Sequence, residues 1–425
     1  MKRLRVLITN ILLTDRTGTE CHVRDLACGL LRRGHAPVVY STYLGDMARE
    51  LSAATVPVVD DLRTLGDAPD VIHGHHFPET LTALLHFPGV PAVGVCHDAT
   101  IWHDTPVDFP RLRRFVAVDE ACRDRLITRH GLAEGRVPII PNAVDLARFP
   151  KRAPLPLRPK RALVFSNYAS DANYLSAVRA ACARAELPLD VVGRSAGAPS
   201  ADPGQLLGAY DLVFAKARCA LEAIAVGAAV VLCGLEGDGP LVTPANFDQL
   251  RRWNLGRRAL RSPVTAERLV HEIAGYDPAA AAQVSERVRA EANVDGMLDA
   301  WLALYADVIE EQRRREQLPD PAGWRSESRA AATAVRWLMP YYREIEEKGR
   351  LQQELVEQRE RGAEQEARLA GREQLLAAQN RMLIELRAQL EHQRRFSTQV
   401  RSVVRRIGRR VLDATLLPRL LAGNR

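Results

Sequence analysis

The sequence predicts an α/β protein: two doubly wound, parallel-sheet domains in series, followed by a long helix. Three observations predict it. From Leu4 to Ile140, short β-branched runs alternate with helical patterns, the signature of strands covered on both faces by helices. A proline-rich stretch, "FPKRAPLPLRPKR" (Phe149–Arg161), breaks that rhythm, which then restarts. Beyond about Glu310 the composition shifts toward Glu, Gln, Arg and Leu.

The first domain spans 1–150. Its opening "MKRLRVLITNILL" has the basic start and apolar stretch of a secretion signal. Thr9 and Asn10 interrupt it, however, and "TDRTGTE" follows in place of a small-residue cleavage site. "RVLIT" therefore reads as a first buried strand. A helix around Glu20–Arg33 follows, with Val23, Leu26, Ala27, Leu30 and Leu31 as its apolar series. "APVVYST", "VPVV", "DVIHG", "VPAVGVC", "RFVAV" and "VPIIP" read as further strands, most with a helical stretch between them.

Pro150, Pro154, Pro156 and Pro159 make 151–161 a stiff, extended linker. In the second domain, 162–312, the order is "ALVFS", a helix near Ala172–Ala185, "LDVVG", "DLVFA", a helix, and "AVVLC". Sheets of this kind bind ligands at the carboxyl ends of their strands, which here means the cleft between domains.

Residues 313–341, including "EQLPDPAGW", read as a linker and helix. In 342–395, Leu355, Leu369, Leu376, Leu383 and Leu390 share one heptad position, with Gly362 as the gap. The companion position holds Leu351, Gln358, Gln365, Arg372, Gln379 and Leu386. A seam half polar predicts a weak coiled coil, able to form a homo-oligomer, against the alternative of a lone solvated helix. In the tail, 396–425, Phe396, Val400, Val403, Val404, Ile407 and Val411 line one face. Arg401, Arg405, Arg406, Arg409 and Arg410 fill much of the rest. A basic amphipathic helix suits peripheral contact with the inner face of a membrane, or else docking on a partner or continuing the coiled coil.

With 425 residues, 47% of them hydrophobic, the chain can bury two or three cores. A net charge of +7 favours an anionic partner such as a nucleotide, a phospholipid surface or nucleic acid. Much of that excess sits in the tail, without interleaved aromatics, so nucleic acid is not expected. Cys21, Cys28, Cys96, Cys122, Cys182, Cys219 and Cys233 are odd in number and scattered, with no CxxC pair. That argues against a disulfide framework and for a reducing, cytoplasmic setting. No uncharged apolar run reaches the length of a membrane span.

The stretch "AKARCALEAIAVGAAVVLC" (Ala215–Cys233) is the first candidate for chemistry. A helix beginning near Arg218 offers free N–H groups and a positive dipole end to phosphate, and Lys216 and Arg218 add full charges there. Glu222, one turn in, can accept hydrogen bonds from a ribose diol. The competing reading is an ordinary i,i+4 pair of Arg218 and Glu222. His73, His75, His76, His97 and His103 lie at or after strand ends, with Asp98 and Asp104 nearby. Imidazole and carboxylate suit a transition metal, but no helical H-x-x-x-H or H-E-x-x-H spacing exists, so packed or hydrogen-bonded histidines and no metal are expected. Asn142 and Asp145 read as turn anchors. "AWLALYADVIEEQ" (Ala300–Gln312) reads as a helix with Trp301, Leu304, Tyr305 and Val308 on its buried stripe.

Taken in order, these segments resemble the GT-B glycosyltransferases, particularly the retaining family 4. "RTGTECHVRDLACGLLRRGHAPVVYST" looks like that family's GG-x-E turn and first helix. "PDVIHGHH" looks like its strand ending in histidines, "VPIIPNAVDLARF" like its "IPNGVD..RF" signature, and "CALEAIAVGAAVV" like its "LEAMA.G.PVV". The resemblance implies a cleft holding a nucleotide sugar, chiefly on the second domain, with the acceptor on the first and the last helix crossing back. Glu222 falls on the second glutamate of the family's paired-glutamate motif, Gly18 on the second glycine of the diphosphate loop, and His97 on a histidine near the donor sugar. Neither metal nor cofactor is implied, since cationic side chains and helix dipoles neutralise the leaving diphosphate.

Three positions depart from the family pattern. Phe214 stands where its first glutamate would be, Thr17 replaces the first loop glycine, and "NYASDANY" replaces a basic pair after "ALVFS". Lys216 and Arg218 are expected to supply the missing positive charge. The expected function is transfer of a sugar from a nucleotide-diphosphate sugar to a glycan, lipid-linked or small-molecule acceptor, in cell envelope polysaccharide synthesis. The rivals are a catalytically degenerate GT-B scaffold and a GT-B sugar-nucleotide epimerase. A Rossmann dehydrogenase is disfavoured because no G-x-G-x-x-G follows a strand.

Overall fold

"RVLIT" forms β1 (Arg5–Thr9), and its β-branched and leucine side chains are sealed between helices, Val6 and Ile8 being fully buried. After it come α1 (Gly18–Arg32), β2 (Ala36–Tyr40), α2 (Asp46–Ala53) and β3 (Val58–Val59). The first sheet is completed by β4 (Val71–His75), α3 (Phe77–His86), β5 (Ala92–Cys96), β6 (Leu112–Ala117) and α4 (Glu120–Asp124). All its pairings are parallel, in the order β3-β2-β1-β4-β5-β6. That order reverses direction between β1 and β4, which opens a crevice at the carboxyl ends of those two strands. In this computed structural model residues 2–197, 202–317 and 323–420 are described.

The second sheet uses β7 (Ala162–Phe165), α5 (Leu175–Arg184), β8 (Leu189–Val192), α6 (Pro203–Leu207), β9 (Leu212–Ala215), α7 (Ala217–Val226), β10 (Ala229–Gly234) and β11 (Gly237–Leu241). Its order is β11-β10-β9-β7-β8, with β11 antiparallel at one edge. Three helices follow: α8 (Phe247–Arg252), α9 (Ala266–Ala274) and α10 (Pro278–Glu291).

Two strand assignments differ from expectation. "VPIIP" makes only a single bridge, Ala117 to Ile139, because Pro138 and Pro141 lack the N–H a ladder needs. Conversely, "GDGPL" becomes β11 although two glycines and a proline carry no strand signal. A proline is tolerated there because the strand lies at the sheet edge.

Between the sheets the linker is extended and anchored. Arg152 donates its N–H to Val226 O (2.9 Å) and its guanidinium to Asp211 (2.7 Å), and the Tyr276 hydroxyl donates to Pro156 O (3.0 Å). The chain crosses back through α11 (Val294–Glu316), whose Trp301 and Tyr305 are fully buried in the first domain's core while Leu304 is half-buried. Gly29 of α1 makes that docking close: a Cβ there would lie 2.5 Å from Leu298 Cδ1. The two crossings run side by side, Val144 N donating to Ala292 O (2.8 Å) and Val294 N to Val144 O (3.0 Å).

The last helix is α12 (Gly323–Leu420). Its first turns belong to the same unit as both sheets (Met1–Arg336), where Glu327 pairs with Arg111 at 2.6 Å and Ala334 is buried. The second unit is Trp337–Arg425. Within it the heptad leucines Leu355, Leu369, Leu376, Leu383 and Leu390 are all exposed, as are Val403, Val404 and Ile407 beside Arg401, Arg405 and Arg406. The predicted linker residues 318–322, and the side chains of Phe396, Val400, Arg409, Arg410 and Val411, lie outside the described residues. Among those described, no helix is long and apolar enough to cross a membrane.

Candidate active site

The loop after β1 is shaped by Glu20, in the first turn of α1. Its carboxylate accepts from Asp15 N (2.8 Å), Thr17 N (3.0 Å) and Thr17 Oγ1 (2.7 Å). Gly18 is thereby left as the first, exposed residue of α1, and an added Cβ would meet nothing within 4 Å. A helix N-terminus facing open space beside a topological switch point is well made for an anion.

On the opposite domain α7 begins at Ala217, one residue before the expected start. Ala217 has φ 48°, and its N–H donates to Leu255 O at 2.8 Å. A left-handed non-glycine residue costs about 1–2 kcal/mol, strain of a kind that concentrates at functional sites. Lys216 precedes it, but its ammonium turns to Glu236, 2.6 Å from both carboxylate oxygens.

Arg218 joins the two domains. It donates to Glu222 on its own helix (2.7 Å) and to Asp25 on α1. Asp25 also receives Arg24 (2.7 and 2.9 Å), Arg24 reaches Glu50 (3.4 Å), and Glu50 takes Arg16 and Arg148, both at 3.1 Å. The i,i+4 pair expected on a helix surface is therefore buried, Glu222 being 6% exposed. Four guanidiniums face three carboxylates, so the network keeps a surplus positive charge. Burial pushes the Asp25 carboxyl up, but Arg218 and Arg24 outweigh it and hold it below the ordinary range. For Glu222 burial prevails over Arg218, and its pKa is raised. Arg194 with Asp15, and Arg258 with Asp124, add further ion pairs across the cleft.

The histidines gather on the first domain's side. His97, just past β5 and partly exposed, has its Nε2 2.6 Å from His75 Nδ1. Its backbone N–H and that of Asp98 both donate to Asp104 Oδ2 at 2.7 Å. Burial, reinforced by His22 nearby, drives His97 well below its ordinary pKa, so the ring is neutral. Burial also raises Asp104 to about 7. Behind this loop a cavity of about 30 Å³, lined by His76, Phe77, Cys96, His103, Asp104 and Pro106 among others, has room for one or two waters but not for a sugar.

Gly18 and the Arg218–Glu222 pair thus flank the cleft, while Lys216 is engaged by Glu236 and His97 belongs to an imidazole cluster. Phe214 is 1% exposed in the core of the second sheet, so a carboxylate at that position would face packed side chains rather than a ligand. Asp145 anchors its turn as expected, accepting from Ala147 N at 3.1 Å. Sequence reasoning missed His22 and Asp25. Their signal was three polar or charged buried positions within four residues of α1, His22, Arg24 and Asp25 among its apolar series, a pattern a helix facing only a hydrophobic core would not carry.

Residues 16–148 match the sequence profile of Glycosyltransferase Family 4. No curated protein matches the chain in sequence. Among solved structures, a glycosyltransferase from Rickettsia africae ESF-5 superposes with a TM-score of 0.54 at 14% identity, covering 73% of this chain and 99% of that one. Anabaena Alr3699/HepE in complex with UDP-glucose gives 0.52 at 16% identity, covering 73% and 100%. The same protein with UDP and glucose gives 0.51 at 16%, covering 72% and 100%. The fold is GT-B, and the resemblance read from the ordered motifs holds.

Proposed function

From the GT-B fold and the family 4 match as premise, we propose that the chain transfers a sugar from a nucleotide-diphosphate sugar to a glycan, lipid-linked or small-molecule acceptor held on the first domain. The observation that carries this reading is the pairing of Arg218, in the first turn of α7, with Asp25 in the middle of α1 across one cleft, with the N-terminus of α1 at Gly18 left open. Diphosphate would lie against the open start of α1, balanced by Arg218 and the surplus charge of its network, without a metal at that position. Glu222 would accept from the ribose hydroxyls, and neutral His97 would stand near the donor sugar. The reaction is retaining in type, after the family resembled. The solved complexes of Anabaena Alr3699/HepE with UDP-glucose and with UDP and glucose make uridine nucleotides the first donors to try. Cytoplasmic location, self-association through 342–395 and inner-membrane contact through 396–425 complete the proposal.

Titration calorimetry with UDP-glucose and a panel of other nucleotide sugars, followed by a transfer assay, tests it. Glu222→Ala is expected to weaken donor binding by about one to two orders of magnitude, the worth of charge-assisted hydrogen bonds. Unchanged affinity would remove Glu222 from the site. Phe214 in place of the family's first glutamate, together with the missing basic pair after "ALVFS", favours a second reading, a scaffold without turnover. Absence of both transfer and donor hydrolysis across the whole panel would select it.

A further inference from the structure

His22, His73 and His75 are each at most 1% exposed, and one ring nitrogen from each lies within 4.8 Å of the others. His73 and His75 are two apart on β4, so they share a face of the sheet. α1 brings His22 over that face, with its ring centroid 5.2 Å from that of His75 and 6.4 Å from that of His73.

A neutral imidazole has one donor and one acceptor nitrogen, and each needs a partner when buried. His73 Nδ1 has Tyr305 Oη at 2.6 Å, and His75 Nδ1 has His97 Nε2 at 2.6 Å. Their Nε2 atoms have no hydrogen-bond partner among the described residues, and His22 makes no hydrogen bond of good geometry, although the Asn142 side chain lies close enough to favour its charged form. Leaving such groups unpaired costs about 1–3 kcal/mol each, too much to collect by chance in one place. With Nδ1–H engaged by a neighbour, Nε2 presents a lone pair, and this is how metal-binding histidines are oriented by their outer partners.

We propose that His22, His73 and His75 bind a divalent transition-metal ion, zinc, in a closed site within the first domain. Three imidazoles suit zinc among the abundant cations and leave one position for a water. Tetrahedral bonds of 2.0–2.1 Å need ligand nitrogens about 3.3 Å apart, so small ring rotations complete the site. Trp301 walls it on one side, its ring centroid 4.3 Å from that of His73. Its indole N–H, also without a partner among the described residues, is a donor for the fourth ligand. The ion would tie α1, β4 and, through Tyr305, α11 together. It would also fix the His75 Nδ1–H as donor to His97. This site adjoins the cleft, the His22 ring centroid lying 5.3 Å from that of His97, but metal uptake by it does not depend on the proposed transfer reaction.

The test is Co²⁺ titration of the tag-free, chelator-treated full chain, read by visible absorption and displaced by Zn²⁺, with metal content measured on untreated protein. One equivalent giving the intense bands of a four-coordinate ion is expected. His22→Phe and His75→Gln should abolish saturable uptake, Tyr305→Phe should weaken it about tenfold, and His271→Gln at an exposed histidine should leave it unchanged. Tyr305→Phe keeps the shape of the core, so it reports on binding even if a ligand variant folds poorly. No saturable uptake, or uptake unaffected by both His22→Phe and Tyr305→Phe, overturns the proposal.

Discussion

Asp25 on α1 and Arg218 on α7 form a buried ion pair between residues 193 positions apart in sequence, linking a helix of each sheet across the cleft. Burial works against the Arg218 charge, yet Asp25 and Glu222 more than offset this and raise its pKa. Arg218→Met should therefore destabilise the chain by about 3 kcal/mol, because Glu222 loses its guanidinium while remaining buried. Arg218→Met combined with Glu222→Leu should cost less than the single change. Urea unfolding of both variants checks the order.

Gly18 separates binding from stability. An added Cβ there has open space and the backbone is not left-handed, so Gly18→Ala should leave urea unfolding unchanged within about 0.5 kcal/mol. If diphosphate approaches this helix start, the same methyl should weaken UDP-glucose binding by about tenfold or more. Calorimetry beside the unfolding curve reads both.

Ala217 stores strain that glycine would relieve. The left-handed φ of 48° costs alanine about 1–2 kcal/mol. Against this, the greater unfolded-state freedom of glycine costs about 0.5–1 kcal/mol. Ala217→Gly should therefore stabilise by about 0.5–1 kcal/mol, measured by urea unfolding.

Glu79 makes stability depend on pH. It is 6% exposed, and burial raises its pKa from 4.5 to about 7. Between those values the folded chain keeps a proton that the unfolded chain has lost, so this group's contribution falls as pH rises from about 4.5 to about 7. Glu79→Gln should be more stable than the parent by about 3 kcal/mol at pH 8 and equal to it at pH 4. Unfolding curves at the two pH values check the sign.

The alternation of apolar runs revealed both sheets because a strand buried on two faces has little choice of side chain. "VPIIP" misled because hydrophobicity speaks of burial and not of ladder bonding, which its prolines prevent. β11 was invisible for the opposite reason: it is buried and held by its pairing to β10 and a bridge to Ser262, although its glycines and proline carry no apolar pattern. The Arg218–Glu222 pair was legible from i,i+4 spacing, but Asp25 was not, since no local period connects α1 to α7. For the histidines, helical spacings were the wrong template. The two-residue step from His73 to His75 is the strand's own period, and His22 joins them only through the packing of α1 on β4.

The bonds tying Val144 to Ala292 and Val294 set the backbone joining one lobe to the other on a single line. Two strands fastened together act as a pivot rather than a loose tether. If the halves swing about that line to admit a ligand, Arg218 must release Asp25 as the cleft widens and regain it as the cleft shuts. The same guanidinium would serve as latch in the resting chain and as counter-charge once an anion arrives.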